Sequence, residues 1–241
     1  MERVPTGIEG LDELLQGGFP ERTVNLVSGP AGSGKSLLSL EYIFNGAREF
    51  GDTGVYITLE ESRENIERAM LNYKMDFQAL EDQGKFYLID LGDLRKEVDT
   101  AEEIETGLLA FSTLTEFLQK HLSVTHAKRV AIDSVTAVGL YYTSVEVLRR
   151  EMFRFARMLK EFGVTSLLIT ESLENQQLTR YGIEQFIADS FITLGLEDVK
   201  GELRRTITVR KARFTRHDTA THPLLITENG LEVAAEEKVL R

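Results

Sequence analysis

The segment GPAGSGKS, at residues 29–36, constrains the fold of this chain more than any other feature of its sequence. It matches the pattern G-x-x-x-x-G-K-[ST] and follows the apolar run TVNLVS, so we expect a strand, a loop and a helix in that order. Gly32 and Gly34 can adopt positive φ angles, which turn successive backbone N–H groups towards one anion. A helix beginning near Lys35 directs the positive end of its dipole to the same point. Residues 29–36 are therefore predicted to form a phosphate loop that binds a nucleotide.

Two side chains of the phosphate loop carry predicted chemical roles. The amino group of Lys35 is expected to reach the β- and γ-phosphates and to act in catalysis, and the Ser36 hydroxyl to bind Mg²⁺. The expected ligands are ATP or ADP with Mg²⁺; the sequence does not define the base, so another nucleoside triphosphate stays open. The residues predicted to contact the nucleotide are Gly29, Pro30, Ala31, Gly32, Ser33, Gly34, Lys35, Ser36 and Leu37.

A second metal-binding group is predicted at the end of the run RVAIDS, where an apolar strand finishes at Asp133. In an open α/β sheet, ligands lie at the carboxyl ends of the strands, so Asp133 and the phosphate loop are expected to share one edge. Its carboxylate would hold Mg²⁺, through water. The alternative is an aspartate that merely ends a strand, and the phosphate loop favours the metal-binding interpretation.

Hydrolysis also needs a carboxylate near the attacking water. Many phosphate-loop ATPases carry a glutamate directly after the strand aspartate, but here that position is Ser134. The available pair is Glu60 and Glu61, which follow the run GVYITL. Neighbouring strand residues point to opposite faces, so one of the two is expected to face the γ-phosphate and orient the water. From the residues alone, an acidic start to the next helix explains the pair equally well.

Short apolar runs alternate with longer helical patterns along the chain, which is typical of a parallel sheet with crossover helices. The C-terminal runs FITLGL and RTITVRKAR, joined by EDVKGEL, and the run HPLLIT predict antiparallel strands that extend one edge of that sheet. Strands are predicted at residues 23–28, 54–59, 85–90, 128–133 and 164–170. Helices are predicted at residues 35–50, 62–73, 101–121 and 144–162. We therefore expect an α/β fold with a mostly parallel, twisted sheet flanked by helices.

Helix boundaries are also predicted from local signals. Thr143 with Glu146, and Thr100 with Glu103, form capping-box patterns at the starts of two helices. Gly163 is expected to end the second of these helices before the next strand, because glycine adopts the left-handed conformation common at helix ends.

Composition narrows the class of protein further. The 241 residues suffice for one large domain, and we expect a single domain over residues 1–241. Asp and Glu number 39 against 28 Lys and Arg, a formal net charge of −11, which disfavours bulk binding of nucleic acid. The absence of cysteine excludes disulfides and thiol chemistry. With no apolar run of membrane-spanning length and no signal-peptide pattern, we expect a cytoplasmic protein that does not contact a membrane.

Several segments together resemble the KaiC-type ATPase domains of the RecA superfamily, most closely the N-terminal domain of KaiC. Besides the phosphate loop and AIDS, these segments are TGIEGLDELLQGGFPE, ITLEES, IDSVTAV, LRREMFR, RYGIEQFIADS and KARFTRH. They cover essentially the whole chain in order. One such domain is present where KaiC carries two in tandem, so the chain resembles a stand-alone domain with a RecA-like fold. The resemblance implies that Glu60 and Glu61 correspond to the paired catalytic glutamates of the family.

The resemblance also implies an assembly and a shared site. It implies a hexameric ring in which ATP lies between neighbouring subunits and is hydrolysed, with Mg²⁺, to ADP and phosphate in a regulatory role. The segment KARFTRH matches the family segment that reaches the neighbour's nucleotide. There Lys211 and Arg213 would touch the γ-phosphate in trans, while Thr215 and His217 occupy matching positions close to the phosphates. Without the resemblance, these residues predict a solvated basic strand face.

Two alternatives to a ring ATPase stay open. A DNA-dependent motor such as RadA or a helicase core shares this fold, but the expected DNA loops are weakly basic: residues 135–143 contain no cation, and residues 173–189 contain Arg180 against three carboxylates. A slow nucleotide-dependent assembly switch needs the same site as a working ATPase. The phosphorylated Ser–Thr pair of KaiC's second domain corresponds here to Gln185 and Phe186, so no autophosphorylation is expected at that position.

Overall fold

The computed structural model describes residues 1–91, 110–173 and 178–239. Its strands are β1 (Arg3–Val4), β2 (Phe19–Pro20), β3 (Val24–Gly29), β4 (Gly54–Thr58), β5 (Phe86–Asp90), β6 (Arg129–Asp133), β7 (Thr165–Glu171), β8 (Ser190–Val199), β9 (Glu202–Ala212), β10 (Thr221–Thr227) and β11 (Gly230–Val233). Its helices are α1 (Leu11–Leu14), α2 (Lys35–Phe50), α3 (Arg63–Asn72), α4 (Gln78–Asp82), α5 (Phe111–Thr125), α6 (Val135–Gly139), α7 (Val145–Glu161) and α8 (Glu184–Ile187).

The main sheet of the described residues contains nine strands in the order β11-β10-β9-β8-β3-β7-β6-β4-β5. Neighbours run parallel from β8 to β5, and β9, β10 and β11 continue the sheet by antiparallel pairing. In the centre, Leu26 of β3 pairs with Leu168 of β7 and Phe191 of β8, an apolar row that is typical of a sheet covered on both faces. The predicted α/β fold, with a mostly parallel sheet and antiparallel strands at one edge, is confirmed.

Two apolar clusters cover the faces of this sheet. One contains residues of α2 and α3, such as Leu38 and Met70, packed against one face of the strands. The other contains residues of α5 and α7, such as Leu118 and Phe155, packed against the opposite face. The helices therefore form a layer on each side of the sheet. The carboxyl ends of the parallel strands all lie at the same end of the sheet, between the two helical layers.

The predicted strands of the parallel sheet agree with the observed ones to within one residue at each end. Helix α2 has the predicted bounds, and α3 and α7 are each one residue shorter than predicted at both ends. The described part of the helix predicted at residues 101–121 is α5, which runs four residues further, to Thr125. Residues 92–109, which include the capping pattern of Thr100 and Glu103, lie outside the described residues.

The predicted cap of α7 is wrong by one residue. Ser144, not Thr143, precedes the first helical residue, and its hydroxyl accepts a hydrogen bond of 3.4 Å from the backbone N–H of Val147. The same hydroxyl donates a 2.7 Å hydrogen bond to Glu146, which therefore bonds to the cap two residues before it. Either hydroxyl fits the pattern by type, and the backbone geometry at the helix start selects Ser144. Gly163 follows the helix with φ +76°, as predicted.

The C-terminal strands differ from the prediction in length and direction. The run EDVKGEL is not a linker: β8 and β9 extend through it and leave a hairpin turn at Lys200 and Gly201, which have φ angles of +57° and +87°. This turn is the tight type that matches the twist of paired strands. Strand β8 runs parallel to β3, so the antiparallel part of the sheet begins at β9.

Residues 135–143 are not the open loop that the sequence predicts. Residues 135–139 form α6, and all five are buried. In the described ranges, none of the helices combines the length and the apolar character that crossing a membrane would require.

Candidate active site

The phosphate loop leaves β3 at Gly29 and enters α2 at Lys35, in the predicted order of strand, loop and helix. Gly32 and Gly34 have φ angles of +77° and +101°, as predicted. A Cβ at Gly29 would lie 2.6 Å from the Ser33 hydroxyl oxygen, so only glycine allows the loop to fold back this closely. The backbone is therefore shaped as an anion-binding turn at the start of a 16-residue helix.

The amino group of Lys35 lies among acidic side chains at the carboxyl edge of the sheet. Its Nζ donates a 2.8 Å hydrogen bond to the carbonyl oxygen of Pro30. Burial lowers the pKa of Lys35, while the charges of Asp133, Glu171 and Glu60 oppose that shift. These three carboxylates come from three different strand ends, so the sheet has brought them together around one cation.

The two predicted metal-binding residues lie in contact. The Ser36 hydroxyl hydrogen-bonds the Asp133 carboxylate, and the hydroxyl of Tyr56 donates to Oδ2 of Asp133 over 2.9 Å. Burial raises the pKa of Asp133, and the hydrogen bonds from Ser36 and Tyr56 and the charge of Lys35 hold that shift back. The peptide bond between Asp133 and Ser134 is cis.

This pair of oxygen ligands fits Mg²⁺, which binds few protein oxygens and keeps waters and phosphate oxygens as its other ligands. Within the described residues, no cluster of three or more histidine, cysteine or acidic side chains could hold a metal by itself. Ser36 and Asp133 would therefore hold the ion together with the phosphates of a nucleotide.

The two glutamates after β4 occupy different positions. Oε1 of Glu60 accepts a 3.0 Å hydrogen bond from the Ser134 hydroxyl, and the charge of Glu60 acts on Lys35. Glu61 is exposed, its backbone is held by Thr58, and its Oε2 lies 3.4 Å from Asn65 Nδ2. The helix start itself is capped by neither glutamate. Of the pair, Glu60 faces Lys35 and Ser134.

Two residues at the phosphate loop were not predicted. Glu171 ends β7 directly beside Gly29, and its backbone N–H donates to the Thr136 hydroxyl over 3.1 Å. The signal that identified Asp133, a carboxylate ending an apolar strand, applies here as well, but the predicted strand stopped one residue short. Arg205 of β9 donates from Nε to the carbonyl oxygen of Gly32 over 2.9 Å. No local pattern indicates that contact, because the two residues meet only when the sheet forms.

Lys211 and Arg213, the predicted trans-acting cations, lie together near the start of β8. Lys211 Nζ donates to the carbonyl oxygens of Gln185 and Ala188, over 3.1 and 2.6 Å. Arg213 donates from Nη1 to Oδ1 of the buried Asp189 over 3.3 Å. Burial lowers the pKa of Lys211, and the charge of Arg213 lowers it further. The structure therefore groups these cations with each other and away from the other predicted catalytic residues.

The register of the sheet separates this group from the phosphate loop of the same chain. At the end of β9, Ala212 pairs with Ser190, which in turn pairs with Asn25 near the start of β3. The phosphate loop begins at the other end of β3, at Gly29, four residues and about 13 Å further along the strand. The two sets of predicted catalytic residues thus lie at opposite ends of the parallel strands. The phosphate loop is at the carboxyl ends, and Lys211 and Arg213 are at the amino ends.

Thr215 and His217 lie in the irregular segment that follows β9. The Thr215 hydroxyl accepts a 2.5 Å hydrogen bond from Nη1 of Arg3. His217 Nδ1 lies 3.4 Å from the carbonyl oxygen of Thr215, and its Nε2 is buried without a hydrogen-bond partner in the part of the chain that the structure describes. Like the two cations, these residues lie on the far edge from the phosphate loop.

A mixed α/β sheet with a phosphate loop, an adjacent serine–aspartate pair and a carboxylate beside them defines the phosphate-loop NTPase fold of the RecA type. The family model described as "ATPase: KaiC" matches residues 4–238. The chain therefore belongs to the KaiC family of ATPases.

Known proteins of this family are similar over nearly the whole chain. The circadian clock oscillator protein KaiC of Prochlorococcus marinus subsp. pastoris is 37% identical over 236 residues, which is 98% of this chain and 45% of that protein. KaiC of Thermostichus vulcanus is 36% identical over 235 residues, 97% of this chain and 44% of that protein. The chain thus spans less than half the length of these relatives. A crystal structure of a KaiC-like protein from the archaeon Pyrococcus horikoshii OT3 superimposes with a TM-score of 0.83 at 34% identity, covering 96% of this chain and 98% of that one.

Proposed function

We propose that this chain binds Mg·ATP and hydrolyses it to ADP and phosphate at the interface between subunits of a homo-oligomeric ring, a hexamer, in a regulatory role. One observation carries the proposal. The phosphate loop and the cations Lys211 and Arg213 lie at opposite ends of the parallel strands. These cations can therefore contact a bound nucleotide only in another copy of the chain. Head-to-tail contacts of this kind close into a ring when the rotation between neighbours completes a full turn.

Within one subunit, the residues at the carboxyl edge divide the binding work. Backbone N–H groups of the phosphate loop and the start of α2 hold the phosphates, and Lys35 exchanges its hydrogen bond to Pro30 for the β- and γ-phosphates. Ser36 and Asp133, which lie next to each other, would hold Mg²⁺. When bound, the ion would supply neutralisation of the negative charge on the phosphates.

The chemical step needs a positioned water molecule and a cation near the negative charge of the transferred phosphoryl group. Glu60 accepts a proton from the water that attacks the γ-phosphorus, while the bond from that phosphorus to the β,γ-bridging oxygen breaks. ADP leaves with the electrons of that bond, and the proton passes to the phosphate product. Lys211 and Arg213 of the neighbouring subunit stabilise charge on the transferred group, as cations supplied in trans do in other phosphoryl transfers.

The DNA-motor alternative gains no support from the site. Residues 135–139 of the first segment expected to grip DNA form the buried helix α6, and residues 135–143 contain no basic side chain. Phosphate recognition by DNA-binding proteins depends on accessible cations.

The test is ATP turnover per subunit over a wide range of protein concentration, combined with mixtures of two variants. Turnover per subunit is expected to rise with concentration and then saturate, because the site is shared. Lys35→Ala and Arg213→Ala subunits, each inactive or weak alone, are expected to regain turnover when mixed, since Arg213 of a Lys35→Ala subunit can serve an intact neighbouring site. Constant turnover down to concentrations at which light scattering detects monomers would contradict the shared site. Tight ATP binding without turnover would favour the assembly switch.

A further inference from the structure

The guanidinium group of Arg3 connects the first strand of the chain to the segment that follows β9. Nη1 donates to the Thr215 hydroxyl over 2.5 Å and lies 3.4 Å from the carbonyl oxygen of Gly18, and Nη2 donates to the carbonyl oxygen of Phe214 over 3.2 Å. We propose that Arg3 is a positioning residue that holds residues 213–217 in the geometry with which they act on a neighbouring subunit's nucleotide. This inference rests on the proposed shared site.

The held segment has little regular structure of its own. The strand β9 ends at Ala212, and residues 213–220 belong to no helix or strand. Backbone hydrogen bonds fix the two ends of this stretch, from the N–H of Arg213 to the carbonyl oxygen of Asp189 and from the N–H of Asp218 to that of Leu14. Arg3 binds between these two anchors, where Phe214 and Thr215 extend from the body of the protein.

The backbone at Phe214 gives a reason for this support. Its φ angle is +63°, in the left-handed region that bulky residues rarely adopt, and the residue is 66% exposed to solvent. A residue held in such a conformation needs contacts from its surroundings to keep it there. The hydrogen bond from Arg3 Nη2 to the carbonyl oxygen of Phe214 supplies one such contact at this residue.

Arginine is suited to this task by its planar, forked head. Two nitrogens of one rigid group reach two consecutive residues, Phe214 and Thr215, at the same time. The backbone of Arg3 is also held in place, because Arg3 pairs with Pro20 in the two-stranded sheet of β1 and β2. A lysine would keep the charge but could not bridge both acceptors with fixed geometry. Loss of the fork should therefore loosen residues 213–217 while the phosphate loop, at the opposite edge of the sheet, keeps its shape.

The first measurement is steady-state ATP turnover of Arg3→Ala and Arg3→Lys. Both are expected to lower kcat by roughly tenfold while ATP affinity stays near that of the unchanged chain, because hydrogen bonds from a charged donor shift a local equilibrium by about that factor. Arg22→Ala is the matched control: it removes an exposed arginine of the same N-terminal region whose side chain makes a 3.9 Å ion pair with Glu21. Its turnover should match that of the unchanged chain.

The decisive measurement is complementation in mixed rings. Arg3→Ala subunits have an intact phosphate loop, and Lys35→Ala subunits have an intact segment 213–217, so each can complete the other's deficiency. In a random one-to-one mixture, about a quarter of the interfaces join the two intact halves, so turnover should reach about a quarter of the unchanged chain's value. Arg3→Lys is measured in the same way, so that a folding failure of Arg3→Ala does not decide the result.

The reference mixture is Arg213→Ala with Lys35→Ala. Recovery in this reference without recovery for either Arg3 variant would overturn the role of Arg3 and leave the shared site intact. Failure of the reference as well would contradict the shared site, and with it the inference. Full turnover of Arg3→Lys on its own would show that the forked contact is not needed, and would also overturn the inference.

Discussion

The hydroxyl of Ser134 donates a 3.0 Å hydrogen bond to the carboxylate of Glu60, and so joins the end of β6 to the bend that follows β4. Ser134 stands where many phosphate-loop ATPases carry a glutamate. Here the carboxylate comes from the neighbouring strand, and the serine at that position fixes its direction. The strand that carries the proposed metal ligand Asp133 and the candidate water-orienting group Glu60 are thereby connected by a hydrogen bond.

Glu60→Gln is expected to lower the ATP turnover rate on the order of 100-fold, because it removes the carboxylate that we propose accepts the water proton. Nucleotide affinity should change little, since the amide keeps the shape and the hydrogen bond from Ser134. Glu61→Gln is the matched control; the Glu61 carboxylate lies beside Asn65 and not at Ser134, so this variant should lower turnover much less. The measurement is phosphate release at saturating Mg·ATP. Equal losses for the two variants, or no loss for Glu60→Gln, would show that the water is oriented by another group.

Ser36→Ala is expected to weaken nucleotide binding in the presence of Mg²⁺ more than in its absence, because it removes one of the two adjacent oxygens that we propose as metal ligands. Lys35→Ala should weaken binding under both conditions, by on the order of 100-fold, because it removes a charged donor to the phosphates. Calorimetric titration with ATP, with and without Mg²⁺, measures both effects. A Ser36→Ala variant with unchanged magnesium dependence would exclude Ser36 as a ligand.

Glu41 is expected to make the stability of the fold depend on pH. It is buried in α2, accepts a 2.7 Å hydrogen bond from the N–H of Leu231, and lines a cavity of about 320 Å³ between α2 and the β10–β11 hairpin. Burial raises its pKa from 4.5 to about 8, although the hydrogen bond from Leu231 and the charge of Arg48 lower it. Between these two pH values, the folded chain keeps a proton that the unfolded chain releases.

The free energy of unfolding should therefore fall as pH rises from about 5 to about 8, by up to about 1.4 kcal/mol per pH unit from this group. Glu41→Gln should flatten that dependence and be more stable than the unchanged chain above pH 8. Urea unfolding at a series of pH values measures both. Glu9→Gln, an exposed carboxylate on the same cavity, is the control and should leave the slope in place. The same slope in Glu41→Gln would assign the proton to another group.

Arg129 is fully buried at the start of β6 and is expected to be essential for stability. Its Nε and Nη2 donate to Asp52 over 3.0 and 2.8 Å, and its Nη1 donates to the carbonyl oxygens of Pro5 and Tyr42. Arg129→Ala should lower the free energy of unfolding by about 3 kcal/mol or more, because it leaves those buried acceptors without a donor.

Lys128→Ala is the matched control for Arg129. It removes an exposed cation that forms an ion pair of 3.1 Å with the same Asp52 carboxylate. An ion pair made by a solvent-exposed lysine contributes about 0–1 kcal/mol, so the control should change the urea midpoint little. Comparable losses in the two variants would mean that the buried contacts of Arg129 add nothing to stability.

Local patterns sufficed for the phosphate loop and for most of the parallel sheet. The spacing of Gly32, Gly34 and Lys35 is a short-range constraint, and each buried parallel strand is a continuous apolar run, so both can be identified without knowledge of the fold. Local patterns did not suffice for the N-cap of α7, because Thr143 and Ser144 both carry a hydroxyl group and only the backbone conformation distinguishes them.

Contacts between distant segments were decided by the tertiary structure. The sheet order makes Glu171 a neighbour of Gly29, aims Glu60 at Ser134, and brings Arg205 to the phosphate loop, although each pair is far apart in the sequence. The order of the strands follows from how both apolar clusters can be buried at once, which no local pattern specifies.

The sequence by itself determined the phosphate-loop turn at the end of a parallel strand, since that turn requires only closely spaced glycines, a lysine and a helix start in immediate succession. The tertiary structure decided which residues accompany that site and which lie away from it. Because β9 returns antiparallel to β8, it carries Lys211 and Arg213 to the edge opposite the phosphate loop, and Arg3 meets Thr215 there. The antiparallel direction of β8 and β9 therefore separates the two halves of the predicted site. This direction is a property of the folded sheet, and no local sequence pattern specifies it.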